Sequence, residues 1–442
     1  MRPATSLPLL LLSLVTAAAF ADTLPLPRYA FPVGRQLTYS SASSFKYDGG
    51  NESNDSTVQL TVTRQNGDGS AHIIICTAAT TQPDAAPSDT SYSWADVFPD
   101  GRIAASSDTM LPQSSPVLPA LPKDADQLAH GWQTPGTMPE QTVSYTAASS
   151  PLGWTLTAST NGIFKRIYGI TNDSTIHFDA SIAAVKDIES HESQTYGFHG
   201  QGTGTIHLVT DTMISPKDAA ALAARIDDYF AVTNAYQAKC DAADADPATA
   251  TQVLASARAI LVSAIAREKY PENKTLLQQQ LSQDDQYAQF ELDSYKNHAA
   301  VLNHPLPDFT ASDLDGKTHS LADCHGKVLL MDFWYRGCGW CMVTMPQMKE
   351  IVADFAGKPV IVLGMNTDND PADAKFVASA MALNYPTCKA PPDFVSKLHV
   401  QAFPSLIIVD PSGIVREFHE GYTPTLRQDI GKEIQSMLTK AG

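Results

Sequence analysis

The feature that most constrains this chain is a pair of cysteines at the junction between a predicted strand and a predicted helix. Residues 328–334, Val-Leu-Leu-Met-Asp-Phe-Trp, form an apolar run that is typical of a central parallel strand. The run leads into Cys338-Gly339-Trp340-Cys341, and a helical pattern follows. Cys338 is therefore predicted at a helix N-terminus, where unpaired N–H groups and the helix dipole stabilise a thiolate. Cys341 lies one turn further on, close enough to form a disulfide with Cys338.

Residues 1–21 have the pattern of an export signal. A basic residue is followed by an apolar stretch, and Ala19-Phe20-Ala21 has the small-x-small pattern that signal peptidase cleaves. A membrane anchor is the alternative, but it needs about 20 apolar residues, and Pro8 interrupts this short stretch. We therefore expect a mature protein that does not span a membrane, in the periplasm or outside the cell, where disulfides persist.

Charge excludes one class of partner, and length predicts several domains. The formal net charge is −17, the wrong sign for a protein that binds phosphate backbones. We therefore expect no nucleic-acid partner. The chain has 442 residues, more than one hydrophobic core normally serves.

Residues 22–214 predict a β-rich, sandwich-like domain of unknown function. The segment 57–63 alternates apolar and polar residues, and after the turn signal Asn66-Gly67-Asp68-Gly69 the pattern resumes, which indicates a hairpin. Further candidate strands are 142–146, 154–158, 175–185 and 205–210. The segment 106–141 carries six prolines, so we expect a long surface loop there.

Residues 215–302 predict a helical connector. Ser215-Pro216-Lys217-Asp218 combines an N-cap residue, a proline at the first helical position and an acidic first turn. Apolar stripes at helical spacing follow, and they predict packing faces that could also serve as a homodimer interface. The prolines of Pro305-Leu306-Pro307 mark the boundary with a last domain, residues 303–442.

Several residues of this last domain occupy characteristic positions along the sequence, before and after the cysteine pair. They are Asp332 and Trp334 before the pair, Pro346 after it, then Phe403-Pro404, and finally Gly413 and Gly421. With them, the segment from Pro305 to the C-terminus resembles the α/β thioredoxin-fold domains of the TlpA/ResA-like kind, in the AhpC/TSA-redoxin superfamily. The expected architecture is therefore a β-rich domain, a helical segment and a C-terminal α/β thioredoxin-like domain.

The resemblance implies an exported thiol-disulfide oxidoreductase that reduces or exchanges protein disulfides. Its cofactor would be the redox-active disulfide Cys338–Cys341 alone, without a metal. Cys338 would be the nucleophile and Cys341 the resolving cysteine. Asp332 would assist proton transfer at the second cysteine, and Pro404 would be a cis-proline facing the dithiol.

The same resemblance implies a substrate groove and partners. The groove would be lined by Trp340, Phe403 and Trp334. The partners would be proteins with disulfides and a membrane-bound electron donor. The dipeptide Gly339-Trp340 replaces the Gly-Pro of thioredoxin, and since these two residues help to set the reduction potential, the direction of electron flow stays open.

Other functions are open or excluded by particular residues. The N-terminal domain could instead be a protein- or glycan-binding or adhesion module with an accessory thioredoxin domain. A thiol peroxidase needs Pro-x-x-x-Thr/Ser-x-x-Cys, but Met331 and Tyr335 occupy those positions. Covalent haem attachment needs His after the second cysteine, where Met342 stands. A structural zinc site would have to add Cys324 or His325 to the pair, without the usual four-ligand spacing.

Four further cysteines are expected to be structural. Cys324 and Cys388 both lie in the last domain and could pair if their Cα atoms approach within about 7 Å. Cys76 and Cys240 would then be left to each other. Free buried thiols are the alternative to both pairings.

Overall fold

The computed structural model describes residues 24–80, 89–107, 117–136, 138–197, 199–245 and 249–441. The expected export signal, residues 1–21, lies outside these ranges. Within them the chain forms a large antiparallel sheet, a group of long helices and a smaller mixed sheet with helices.

The large sheet contains eleven strands of the described residues, all antiparallel to their neighbours. The strands are β1 Arg35–Tyr47, β2 Gly50–Gln65, β3 Ala71–Thr80, β4 Asp89–Val97, β5 Ile103–Ser106, β6 Trp132–Pro135, β7 Gln141–Ser150, β8 Gly153–Gly162, β9 Thr171–Asp179, β10 Ala184–Gln194 and β11 Gly200–Met213. Two short helices, α1 Ala125–His130 and α2 Ile163–Tyr168, interrupt the series. The strand order is β5-β4-β3-β2-β1-β11-β10-β9-β8-β7-β6, so β1 and β11 form the central seam.

These strands form one continuous hydrogen-bonded sheet rather than two separate sheets. A single apolar core joins Leu60 and Ile73 from one half of the sheet with Leu156 and Phe178 from the other half. Alternation along a strand predicts that one face is buried, but it does not predict whether the strands divide into two sheets. The β-rich character of the domain is confirmed.

Local predictions in this domain have mixed outcomes. The hairpin around residues 66–69 is confirmed as the β2–β3 pair. The single candidate strand 175–185 is instead the end of β9, a turn and the start of β10. The predicted loop 106–141 contains α1 and β6, and its residues Val117, Leu118 and Leu121 are buried in the core.

The middle of the chain is helical. Three long helices follow the sheet: α3 Pro216–Ala245, α4 Ala250–Arg267 and α5 Pro271–Val301. Their common core contains Tyr236, Leu261 and Leu277. Over the described residues, no helix has the length and apolar character that a bilayer crossing needs.

The C-terminal part is a five-stranded mixed sheet with helices, preceded by a small hairpin. The hairpin consists of β12 Thr310–Ser312 and β13 Thr318–Ser320. The five strands of the sheet are β14 Val328–Trp334, β15 Val360–Asn366, β16 Thr387–Lys389, β17 Ser405–Val409 and β18 Val415–Glu420. Its helices are α6 Leu321–Cys324, α7 Gly339–Asp354, α8 Pro371–Ala380, α9 Pro392–Lys397 and α10 Leu426–Ala441. The sheet order is β16-β15-β14-β17-β18, with β14 parallel to β15 and central, as the apolar run predicts.

Candidate active site

Strand β14 places Asp332 under the helix that carries the cysteines. Every residue of β14 is buried, and alternate side chains face opposite sides of the sheet. Leu330 packs with Met348 and Ile351 of α7, whereas Met331 and Phe333 belong to the core on the other face. Asp332 therefore points to the α7 side.

Cys338 and Cys341 form a disulfide at the N-terminus of α7. Cys338 is the N-cap residue, and its Sγ accepts a hydrogen bond from the Cys341 backbone N–H at 3.0 Å. The N-terminal amides of a helix stabilise negative charge on a sulfur in this position. Only 6% of Cys338 and 1% of Cys341 are exposed, so both residues of this disulfide are buried.

Pro404 follows a cis peptide bond with Phe403. Phe403 packs at the edge of the apolar cluster that contains both cysteines. Its ring also contacts Tyr335 edge to face, with 5.2 Å between the ring centroids. The sequence-predicted Phe403 and the dithiol therefore meet in one cluster.

The Asp332 carboxylate accepts a hydrogen bond from the buried hydroxyl of Tyr385 at 3.0 Å. Burial raises the pKa of Asp332 to about 7, and the hydrogen bond from Tyr385 offsets part of this effect. The carboxyl can therefore exchange a proton near neutral pH. Sequence reasoning missed Tyr385, because it lies 53 positions away and nothing in its local sequence marks it as the partner of an acid.

The three residues predicted to line a substrate groove lie in different environments. Trp340 is half-buried, and its ring stacks on Tyr422 at 5.3 Å. Phe403 is also half-buried. Trp334 is fully buried among residues of α7 and α8. Its assignment to the groove needs correction, because an inward-facing residue of a central strand supports the site from beneath.

Arg336 has more contacts than a solvated surface arginine. Its Nη1 donates to Asp373 at 2.8 Å, and its guanidinium lies 3.7 Å from the ring centroid of Tyr196 and 4.1 Å from that of Phe376. Tyr196 belongs to the N-terminal domain. Arg336 is therefore part of a contact between the two domains, which the sequence did not indicate.

The structure contains neither of the additional disulfides that we considered. Among the described residues the one disulfide is Cys338–Cys341. Cys324 and Cys388 are buried thiols, and burial raises their pKa values to about 11 and about 12. For Cys324 and Cys388 the structure therefore agrees with the alternative of free buried thiols. Both side chains pack in the apolar core around β14.

One group of potential metal ligands occurs in the described part of the chain. Ligand atoms of Glu417, His419 and Glu433 lie within 4.8 Å of one another, on β18 and α10. His419 and Glu433 already form an ion pair at 2.9 Å. Burial lowers the pKa of His419, but the hydrogen bond with Glu433 and the negative charges of Glu433, Glu417 and Asp429 together outweigh burial and raise the pKa above its ordinary value. The pair accounts for the two side chains without an ion.

Comparisons with known proteins match the C-terminal part alone. Residues 301–434 match the family model described as Redoxin. The chain is 29% identical over 140 residues to the thiol-disulfide oxidoreductase ResA of Geobacillus thermodenitrificans (strain NG80-2), which covers 31% of this chain and 79% of that protein. It is 27% identical over 117 residues to the thioredoxin-like protein YneN of Bacillus subtilis (strain 168), over 26% of this chain and 69% of that protein.

A solved structure described as a putative thiol:disulfide interchange protein DsbE from Chlorobium tepidum is 24% identical. The match covers 31% of this chain and 97% of that chain, with a TM-score of 0.30. Residues 301–434 are therefore a Redoxin domain, related to the ResA thiol-disulfide oxidoreductases, and this relationship covers the C-terminal part of the chain only.

Proposed function

We propose that this protein is an exported thiol-disulfide oxidoreductase that reduces or exchanges the disulfides of other proteins. The observation that carries this proposal is the Cys338–Cys341 disulfide at the N-terminus of α7. It lies in a Redoxin domain whose relatives are named for the same chemistry. The buried carboxyl of Asp332 and the packing of Phe403 against the cluster that contains both cysteines are further support.

In the first step the reduced Cys338 acts as a thiolate. It attacks one sulfur of a substrate disulfide, the substrate S–S bond breaks, and the other substrate sulfur leaves as a thiolate that takes a proton from water. The product is a mixed disulfide between Cys338 and the substrate. The helix N-terminus favours the thiolate that this step requires.

In the second step Cys341 resolves the mixed disulfide. Asp332 accepts the Cys341 proton, directly or through water, and the thiolate attacks the sulfur of Cys338. The Cys338–Cys341 bond forms, and the second substrate sulfur leaves as a thiolate. Two electrons have then passed from the protein to the substrate. Since the pKa of Asp332 is about 7, this step slows as the pH falls below neutral.

A reductase must be reduced again after each cycle. By analogy with the family, we propose a membrane-bound electron donor, with the protein in the periplasm or outside the cell. The leader pattern of residues 1–21 supports this location. The reduction potential of the dithiol decides the direction of flow, since a value near −270 mV is typical of a reductant and one near −120 mV of an oxidant.

The test is disulfide reduction by the full-length protein. Wild type, Cys338→Ser and Cys341→Ser are reduced, freed of reductant and mixed with insulin. We expect wild type to reduce insulin, Cys338→Ser to be inactive, and Cys341→Ser to accumulate a mixed disulfide through Cys338. Non-reducing gels and peptide mass spectrometry identify the linked residue.

Cys76→Ser is the matched control, because Cys76 is a half-buried thiol of the N-terminal sheet, outside the proposed dithiol. It should reduce insulin at the wild-type rate. Insulin reduction by Cys338→Ser at the wild-type rate would refute the assignment. A binding or adhesion role for the N-terminal domain and a thiol peroxidase activity stay alternative predictions.

A further inference from the structure

A short helix of the N-terminal domain lies over the dithiol. Helix α2 connects β8 to β9. Its buried side chains, Ile163, Ile167 and Tyr168, share an apolar cluster with Cys338, Cys341 and Met342, and they are outside the core of their own sheet. We call α2 together with Tyr196 the dithiol cap.

The cap approaches the cysteine motif closely. A Cβ atom added to Gly339, between the two cysteines, would lie 3.3 Å from the Phe164 ring. Any side chain at this position would press against the cap. The low exposure of Cys338 thus follows in part from residues that precede it by about 170 positions.

Polar contacts attach the cap to the main chain beside the motif. Arg336 Nη2 donates to the Ile167 carbonyl at 3.1 Å, and the Tyr168 hydroxyl donates to the Arg336 carbonyl at 2.7 Å. Arg166 Nη1 donates to the Ala380 carbonyl at 3.2 Å. Burial raises the pKa of Tyr168, so its hydroxyl is a neutral donor at physiological pH.

The C-terminal end of α2 is fixed by a glycine. Gly169 caps the helix with φ of 64°, and its N–H donates to the Lys165 carbonyl. A Cβ at this position would clash with Thr195 Oγ1. The close approach of Thr195 keeps α2 adjacent to Tyr196, so the two parts of the cap form one unit.

Thiol-disulfide exchange requires direct access to a sulfur. Because 6% of Cys338 is exposed and Tyr196 and α2 pack beside the motif, the cap lies where another protein would bring its own disulfide to the Cys338 sulfur. The cap packs against one side of the motif: its side chains share a cluster with Met342 and Phe403, its Ile167 carbonyl accepts from Arg336, and Phe164 faces Gly339.

We propose that the dithiol cap occupies the docking surface for protein substrates and that it must leave before the dithiol reacts. This inference rests on the proposed function, and it adds how that activity is regulated and how its substrates are recognised. The segment that replaces the cap would share its chemistry, with an apolar or aromatic side chain over Gly339 and a main-chain carbonyl that accepts from Arg336. Substrates are thus selected by their ability to displace α2.

The test measures access to the disulfide in the full-length oxidised protein. Dithiothreitol reduces Cys338–Cys341 with two electrons and itself becomes a cyclic disulfide. The new thiols are trapped with iodoacetamide after brief intervals, and peptide mass spectrometry follows Cys338 and Cys341 separately. This reaction proceeds whether or not the protein reduces other proteins.

Ile167→Asp places a carboxylate in the apolar contact between cap and dithiol, which disfavours the closed form. We expect reduction by dithiothreitol to be at least tenfold faster than in wild type. The added negative charge repels the attacking thiolate, so charge alone would slow the reaction. Lys165→Asp is the matched control, because Lys165 lies on the exposed side of the same helix, and it should react no faster than wild type.

Tyr168→Phe keeps the ring and removes one hydrogen bond to the motif. It should accelerate reduction by a smaller factor, and it decides the question if Ile167→Asp does not fold. Equal rates in wild type and the folded cap variants overturn the proposal. Fast reduction of the cap variants without any reduction of insulin would uphold the cap and reject the proposed function.

Discussion

At the scale of single residues, Asp332 connects the proposed chemistry with stability. Its pKa rises from an ordinary value of 3.8 to about 7 because the carboxyl is buried in the folded protein. Below pH 4 an acid with a raised folded-state pKa is neutral in both the folded protein and the unfolded chain. Above pH 4 it ionises more readily in the unfolded chain, so the fold loses stability until the pH exceeds about 7.

Replacing Asp332 by Asn should therefore stabilise the C-terminal domain at alkaline pH. The pKa difference corresponds to a gain on the order of 4 kcal/mol at pH 8, with little change at pH 4. The measurement is urea denaturation at the two pH values with the disulfide intact, followed by hydrogen exchange of β14 peptides. The same variant should lose activity, because an amide cannot accept the Cys341 proton.

Tyr385→Phe provides the control of opposite sign. Loss of the hydroxyl removes the donor that favours the ionised carboxylate, so the pKa of Asp332 rises further. This variant should be less stable than wild type at pH 8, with a smaller difference at pH 4. Identical pH dependence in wild type and both variants would show that Asp332 does not titrate near neutrality.

At the scale of elements, α10 contains a residue that weakens it. Gly431 lies inside this helix, and a Cβ added there would have no neighbour within 4 Å. Glycine in a helix interior costs about 0.5–1 kcal/mol relative to alanine. Gly431→Ala should therefore raise the free energy of unfolding of the C-terminal domain by about that amount, as measured by urea denaturation.

Gly413→Ala is the matched comparison, because a Cβ at this position also has free space but the backbone φ is 88°. An L-residue is strained in this conformation, so we expect a loss of roughly 1 kcal/mol. A gain for both variants would mean that φ at Gly413 has no influence on stability.

Elements also differ in how well the sequence predicts them. The segment 328–341 was predictable, because a buried strand, a helix start and a cysteine pair follow one another within a few residues. Helix α2 was not predictable, because its six residues are too few to show the repeating apolar pattern of a helix. Its packing on Met342 depends on contacts between distant parts of the chain. Likewise, alternation in β9 and β10 indicates a buried face but not the turn between them.

At the scale of the whole molecule, the thiol count tests the covalent structure. The chain has six cysteines, and Cys338–Cys341 is the disulfide of the described residues. Oxidised protein unfolded in guanidinium should therefore show four thiols with a chromogenic disulfide reagent, and six after reduction. In the folded protein, Cys324 and Cys388 should react slowly, because burial raises their pKa values and restricts access.

Two thiols in the unfolded oxidised protein would contradict this structure. They would indicate a second disulfide, for which Cys324 with Cys388 and Cys76 with Cys240 are the pairings to examine. Peptide mapping without reduction would distinguish them.

The central seam of the large sheet determines when that sheet can be completed. Arg35 pairs with Met213 and Tyr47 with Gly200, so each bond of the seam joins residues that are synthesised far apart in time. Strands β2 to β5 and β6 to β10 can form hairpins with their neighbours earlier, at low cost in loop closure. Until β11 emerges, β1 has one unpaired edge, which can pair with another chain. When β11, residues 200–213, pairs with β1, it covers this edge. Early pairing of the two strands therefore protects the growing chain from aggregation.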